Sequence, residues 1–183
     1  MDNSTIGDIF DYLRNGHFIN DNSNREDERI WFDYLDNPRN FEKVKAYFEQ
    51  LNLILEKGNG YFYFSKQGNI QTIQSKIETA YKWIDIFDFF RTYDPIFDSG
   101  TTFELAKIKV ACSEKVLLQE KLNRIEKRKM TDLEKIKQLA DELVNADFAV
   151  LQPDGEQYKV LSSINYLDRL INLINIQEDA TTT

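Results

Sequence analysis

Residues 44–64 read VKAYFEQLNLILEKGNGYFYF and carry two structural signals back to back. Apolar residues recur at Phe41, Val44, Phe48 and Leu51, the spacing of one helix face. LILEK and YFYFSK then flank Gly58-Asn59-Gly60, residues that tolerate positive φ, which predicts a β-hairpin. In its second strand Tyr61 and Tyr63 share one face and Phe62 and Phe64 the other. A strand in a small domain normally buries one face, so the aromatic residues on both sides raise the question of what covers the second.

Upstream, TIGDIFDYLRNGHFI predicts a short helix with Ile6, Ile9, Phe10 and Leu13 on one face. Asn15-Gly16 ends it, because glycine takes the left-handed cap cheaply, and HFI follows as a short strand. The run NDNSNREDER has no periodicity and reads as a loop. A second helix over about Glu28 to Leu35 stops at Asn37-Pro38. Helix, short strand, helix, helix and hairpin is the order of a winged helix-turn-helix domain.

Downstream the plan restarts. A long helix from about Ile70 to Tyr93 begins amphipathic through Ile70, Ile73 and Ile77, then turns apolar nearly all round in YKWIDIFDFF, which predicts burial between the two halves. Thr101 with Glu104, and Thr131 with Glu134, have the spacing of capping boxes. Leu118, Leu122 and Ile125 stripe the helical stretch between them. The segment from Asp132 to Asn145 takes the slot of the Phe41 to Leu51 helix, and FAVLQ, Pro153-Asp154-Gly155 and EQYKV form a second hairpin. A last helix starts near Ser162 or Ser163. Its apolar face, with Tyr166, Leu170 and Leu173 beside Ile164, Leu167, Ile171 and Ile174, is wider than one core contact needs.

The expected fold is therefore mainly α with small β-wings, in tandem winged-helix domains. The first spans residues 1–68, the second 69–176 beginning with the long buried helix, and 177–183 form a disordered tail.

The net charge of −8 opposes free diffusion onto nucleic acid or an anionic membrane. The one cysteine, Cys112, rules out an internal disulfide and fits a reducing compartment; its flanks read as helix, which makes it a packed hydrophobe. The N-terminus has no signal-peptide pattern and no apolar run approaches a membrane span, so a cytoplasmic protein is expected.

Catalytic constellations are scarce. His17 is the only histidine, which removes metal sites of two or more histidines and histidine-rich catalytic centres, and it reads as a packed or solvent-facing residue. Gly58 and Gly60 join two strands, so they are no phosphate loop. Asp85 and Asp88 read as the wet strip of an apolar helix rather than a paired acid site. No cofactor, metal or small-molecule substrate is expected.

A winged-helix DNA reader would show basic or amide side chains on its third helix. Here that face has Glu42, Lys45, Ala46 and Glu49, and the second copy mixes Lys135, Lys137 and Gln138 with Asp141 and Glu142. Residues 120–137 differ, with a local excess of +3. Lys121, Arg124 and Arg128 fall at helical spacing as a basic ridge, either a solvated face or a contact for a phosphate backbone or acidic segment. With Lys127, Lys129 and Lys135 they are the candidate DNA contacts.

The helix ending in Tyr-Phe, the LNLILE strand and the glycine turn into an aromatic wing resemble the winged-helix (KITE) subunit of bacterial condensin-like SMC complexes, the MukE and MksE type, to which the Wadjet plasmid-defence subunit is also similar. DIFDYLRNGHFI is similar to the first helix and strand of that family. The resemblance implies a non-enzymatic homodimer binding a kleisin of the MukF or MksF kind and, through it, an SMC ATPase of the MukB or MksB kind. It also implies nucleoid association and DNA contact mainly within the assembly. On that reading Phe62 and Phe64 fill the first core, while Tyr61 and Tyr63 face the other domain, a second copy or the kleisin; alternatively the helix of residues 70–93 covers both faces. Tyr61, Tyr63, Tyr166, Leu170 and Leu173 are the candidate interface residues. A winged-helix transcription regulator is the alternative reading, and an enzyme a distant third.

Overall fold

Local capping chemistry sets the element boundaries in the computed structural model, which describes residues 3–65 and 70–171, with side chains from residue 5 in the first stretch and residue 80 in the second. Helix α1 (Asn3–Arg14) ends where the Gly16 N–H, at φ +91°, donates to Leu13 O. After strand β1 (Ile19–Asn20) comes α2 (Glu26–Asp36), and Asn37 separates it from α3 (Pro38–Glu49). Asn37 accepts from the N–H groups of Arg39 and Asn40, while Pro38 occupies the first helical position, where no backbone donor is needed. The hairpin β2 (Ile54–Lys57) and β3 (Tyr61–Ser65) completes a three-stranded antiparallel sheet in the order β1-β3-β2. Phe62 pairs with Ile19 on one side and Lys57 on the other. Its ring joins Ile9, Leu13, Trp31, Leu35, Val44 and Phe48 in the first core, with Phe64 packed against that core.

The second half holds α4 (Ile70–Tyr93), β4 (Thr102–Glu104), α5 (Leu105–Glu114), α6 (Val116–Ile125), α7 (Asp132–Asn145), β5 (Ala149–Leu151) and β6 (Gln157–Val160). A last helix, α8, is described over 164–171. The sheet order β4-β6-β5 repeats that of the first half. The two helix-to-hairpin turns also match. Asn52 (φ 57°) and Asp147 (φ 58°) are left-handed, and the next N–H reaches back five residues, Leu53 to Phe48 O and Phe148 to Leu143 O. This is the Schellman pattern, satisfying a carbonyl that the helix end leaves open. At the start of α7 the expected capping box is present between Thr131 and Glu134.

Two expectations are corrected. Thr101 starts no helix: its hydroxyl donates to Asp98 O at 2.7 Å, and residues 102–104 pair with β6 before α5 begins at Leu105. The carboxylate of Glu104 is held by Lys107 and Gln157, and Phe103 stacks on Tyr158 at 5.2 Å, so strand pairing outcompetes the local cap. The described apolar side chains of α4 pack mainly into the second half rather than against the first. Ile86, Phe87, Phe89 and Phe90 enter the second core with Phe97 and Phe103, where the Phe90 and Phe97 rings stack at 4.8 Å. The amphipathic start read at Ile70, Ile73 and Ile77 lies outside the described side chains.

Candidate interaction surfaces

The second face of the aromatic strand is covered by the other half of the same chain. Phe18, just before β1, sits at the centre: its ring lies 5.7 Å from Tyr61, 5.6 Å from Tyr63, 5.6 Å from Phe148 and 5.4 Å from Tyr166. Tyr63 meets Tyr166 edge-on at 5.1 Å. Tyr61 is fully buried yet belongs to neither core. Burial raises its pKa against the opposing hydrogen bond and charge of the Arg169 guanidinium. Burial likewise pushes Tyr63 up to about 12. Tyr61, Tyr63 and Tyr166 thus make contacts between the halves. Leu170 is partly buried, and Leu173 lies outside the described residues.

Beside these rings runs a polar seam that sequence reasoning missed. Glu28, only 3% exposed, organises it. One carboxylate oxygen accepts the Asn20 N–H at 2.7 Å and the Asn20 amide at 3.4 Å; the other accepts the Ser23 hydroxyl at 2.7 Å and Tyr12 at 3.5 Å. The loop so shaped then caps α8 from across the molecule. Asn20 Oδ1 accepts the Ser163 N–H at 2.7 Å, Asn22 Oδ1 accepts the Ser162 N–H at 3.0 Å, and Asp21 accepts the Ser162 hydroxyl at 2.5 Å. In return Asp147 accepts the Phe18 N–H at 3.0 Å and meets His17 Nδ1 at 2.8 Å, while the Ser163 hydroxyl donates to Asp147 O. His17 also stacks on Tyr12 at 4.6 Å. The signal was present in sequence as short amide and hydroxyl residues that favour helix N-caps, but their helix lies some 140 residues away.

The basic residues divide. Lys121 pairs with Asp88 at 2.5 Å and donates to Thr92, and Arg124 pairs with Asp85 at 3.0 Å, so Asp85 and Asp88 bind α4 to α6. Arg128 lies past the end of α6 and cannot continue a helical ridge. Its side-chain hydrogen bonds, with its own N–H, hold Glu126 down at about 2. Lys135 is buried and donates to Asn123 at 2.6 Å. Lys127 and Lys129 are exposed and make no ion pair among the described residues.

A groove of about 610 Å³ opens between α1 and α3, with Val44 buried in its lining and Tyr47 and Leu51 about half exposed. Among the described residues no cluster of three or more His, Cys, Asp or Glu is arranged to hold a metal, and no helix is long and apolar enough to cross a membrane. Burial pushes the Cys112 thiol up to about 11, far from the lowered values that make a nucleophile.

Residues 4–171 match the family model of the condensin complex protein MksE. The chain belongs to the MksE family. No individual curated protein matches it.

Proposed function

We propose that the chain is the tandem winged-helix accessory subunit of a bacterial condensin-like SMC complex, without enzymatic activity of its own. The carrying observation is the family match over residues 4–171, supported by the repeated order of helices, sheet and helix-to-hairpin turn in the two halves. The first winged-helix domain spans 1–68 and the second 69–176. The subunit dimerises and binds a kleisin, and through it an SMC ATPase that entraps DNA in the nucleoid, for chromosome segregation or plasmid defence. DNA contact belongs to the assembled complex, where Lys127 and Lys129 supply the open positive charge of the 120–137 region. The exposed carboxylates Glu42 and Glu49 on α3 count against a transcription regulator reading the major groove with that helix.

Affinity purification from native cells, followed by mass spectrometry, tests this reading. Co-purification of a kleisin and a long coiled-coil ATPase is expected; recovery of the protein alone, with one promoter fragment enriched, would overturn it.

A further inference from the structure

His17 is the only histidine in the chain, and it lies on the joint between the two halves. Imidazole is the one side chain whose ordinary change of charge falls between about pH 5 and pH 8. Its Nδ1 meets Asp147 Oδ2 at 2.8 Å across 130 residues of sequence, and that carboxylate is only 17% exposed. The turn after α7 holds Asp147 in place: its backbone is left-handed, its carbonyl accepts the Ser163 hydroxyl, and its carboxylate also takes the Phe18 N–H. The imidazole lies flat on the Tyr12 ring at 4.6 Å, and Tyr63 from β3 and Tyr166 from α8 line the same cleft of about 380 Å³. Behind Tyr12, α2 sets the Glu28 carboxylate 3.5 Å from the phenol oxygen and the Arg25 guanidinium 4.9 Å from the ring centre, with Arg25 paired to Asp27. Burial raises the phenols of Tyr12, Tyr63 and Tyr166, and the Arg25–Asp27 hydrogen bonds raise the guanidinium and lower the carboxyl, so none of these changes charge near neutrality. Glu28 differs, since burial raises it and the charge of Asp147 raises it further. The two carboxylates therefore repel. The imidazole, bonded to one and stacked on the phenol that reaches the other, is where a positive charge offsets both.

We propose that the joint is a proton-operated latch: His17 with its proton holds Asp147, and with it Phe18 and the start of α8, more firmly than neutral His17 does. A neutral imidazole with its hydrogen on Nδ1 keeps the hydrogen bond but lacks the charge; the imidazolium has both and relieves the repulsion between Asp147 and Glu28. A proton that binds the closed joint better than the open one favours closure, so the latch is firm at the acid end and loosens as pH rises through the histidine range. The raised Glu28 acts in the same sense. Loosening frees the N–H groups of Phe18 and Ser163 and uncovers the rings of Phe18, Tyr61 and Tyr63, while each half keeps its own core.

Amide protection factors of Phe18 and Ser163 are measured on the full chain from about pH 5 to pH 8, beside the single imidazole signal in the NMR spectrum. Protection at both amides should fall about two- to fivefold over that range, the size expected of a part-exposed ion pair, and follow the imidazole signal, while protection in α3 and α6 stays constant. His17→Asn, whose amide keeps a donor without a titrating charge, should abolish the fall. Asp147→Asn, which suits the left-handed backbone and removes the partner charge, should do the same. Glu28→Gln should leave the part of the fall that follows the imidazole. A fall that persists in His17→Asn, or wild-type protection that does not change over the range, overturns the latch. A fall shared equally by α3 and α6 is unfolding of the whole chain and overturns it as well.

Discussion

Gly58 shows how one residue ties the hairpin to the rest of the molecule. A Cβ there would lie 2.0 Å from Tyr61 Cζ, and the Tyr61 ring is fully buried, so it cannot swing aside. Gly58→Ala should therefore cost about 1–3 kcal/mol, read as a lower urea midpoint. Tyr61→Ala should cost about 3–5 kcal/mol by emptying the same space. Tyr61→Phe keeps the ring and should cost far less than Tyr61→Ala, on the order of 1 kcal/mol, because only the hydroxyl beside the Arg169 guanidinium is lost. Cys112, raised to about 11 by burial, should resist alkylation in the native state at neutral pH and react on unfolding. Cys112 was legible from its helical flanks. The role of Tyr61 was not, because alternation along a strand assigns a face without naming what lies against it.

At the scale of elements, α8 depends on donors and acceptors it does not contain. Asn22→Ala removes an acceptor for the Ser162 N–H, and loss of such a cap costs about 1 kcal/mol. Faster amide exchange at Ser162 to Tyr166 is the expected sign; unchanged exchange there would mean water replaces the cap. Glu28 adds a pH dependence, since burial raises its pKa. The folded chain then holds that proton more tightly than the unfolded one, so its contribution to stability is present at low pH and lost as pH rises through the raised value. Glu28→Gln should flatten that part of the urea midpoint against pH; an unaltered profile would assign the slope to other groups. Asn15-Gly16, Asn37-Pro38, Gly58-Asn59-Gly60 and Pro153-Asp154-Gly155 made the helix ends and hairpins legible, because their turn chemistry is local. Thr101 with Glu104 misled for the complementary reason, as a distant strand captured residues with a helix-start pattern. The loop after β1 looked like filler because its periodicity is that of a partner surface, not of its own backbone.

For the whole molecule, two cores meet through one ring cluster and one polar seam. Phe18 touches both sides, so the halves should unfold together in the native chain. Phe18→Ala should split the thermal transition or broaden it, checked by calorimetry against circular dichroism; a single sharp transition at a lower temperature would mean the seam alone couples the halves. The doubled plan was legible from the order of elements, whereas the joint was assigned to α4 because an all-round apolar helix suggests a central place. The aromatic packing of α4 into its own core used that surface instead. The covering of the YFYFS face by α8 also bears on synthesis. The first core can close once β3 has left the ribosome, yet Phe18, Tyr61 and Tyr63 stay wet until Tyr166 follows, a lag of roughly 5–20 s at typical elongation rates. During that interval on a polysome, the nascent chain presents a sticky aromatic strand to its neighbours, and an α8 from an adjacent chain could cap it in exchange, so slow translation past β3 should favour swapped pairs.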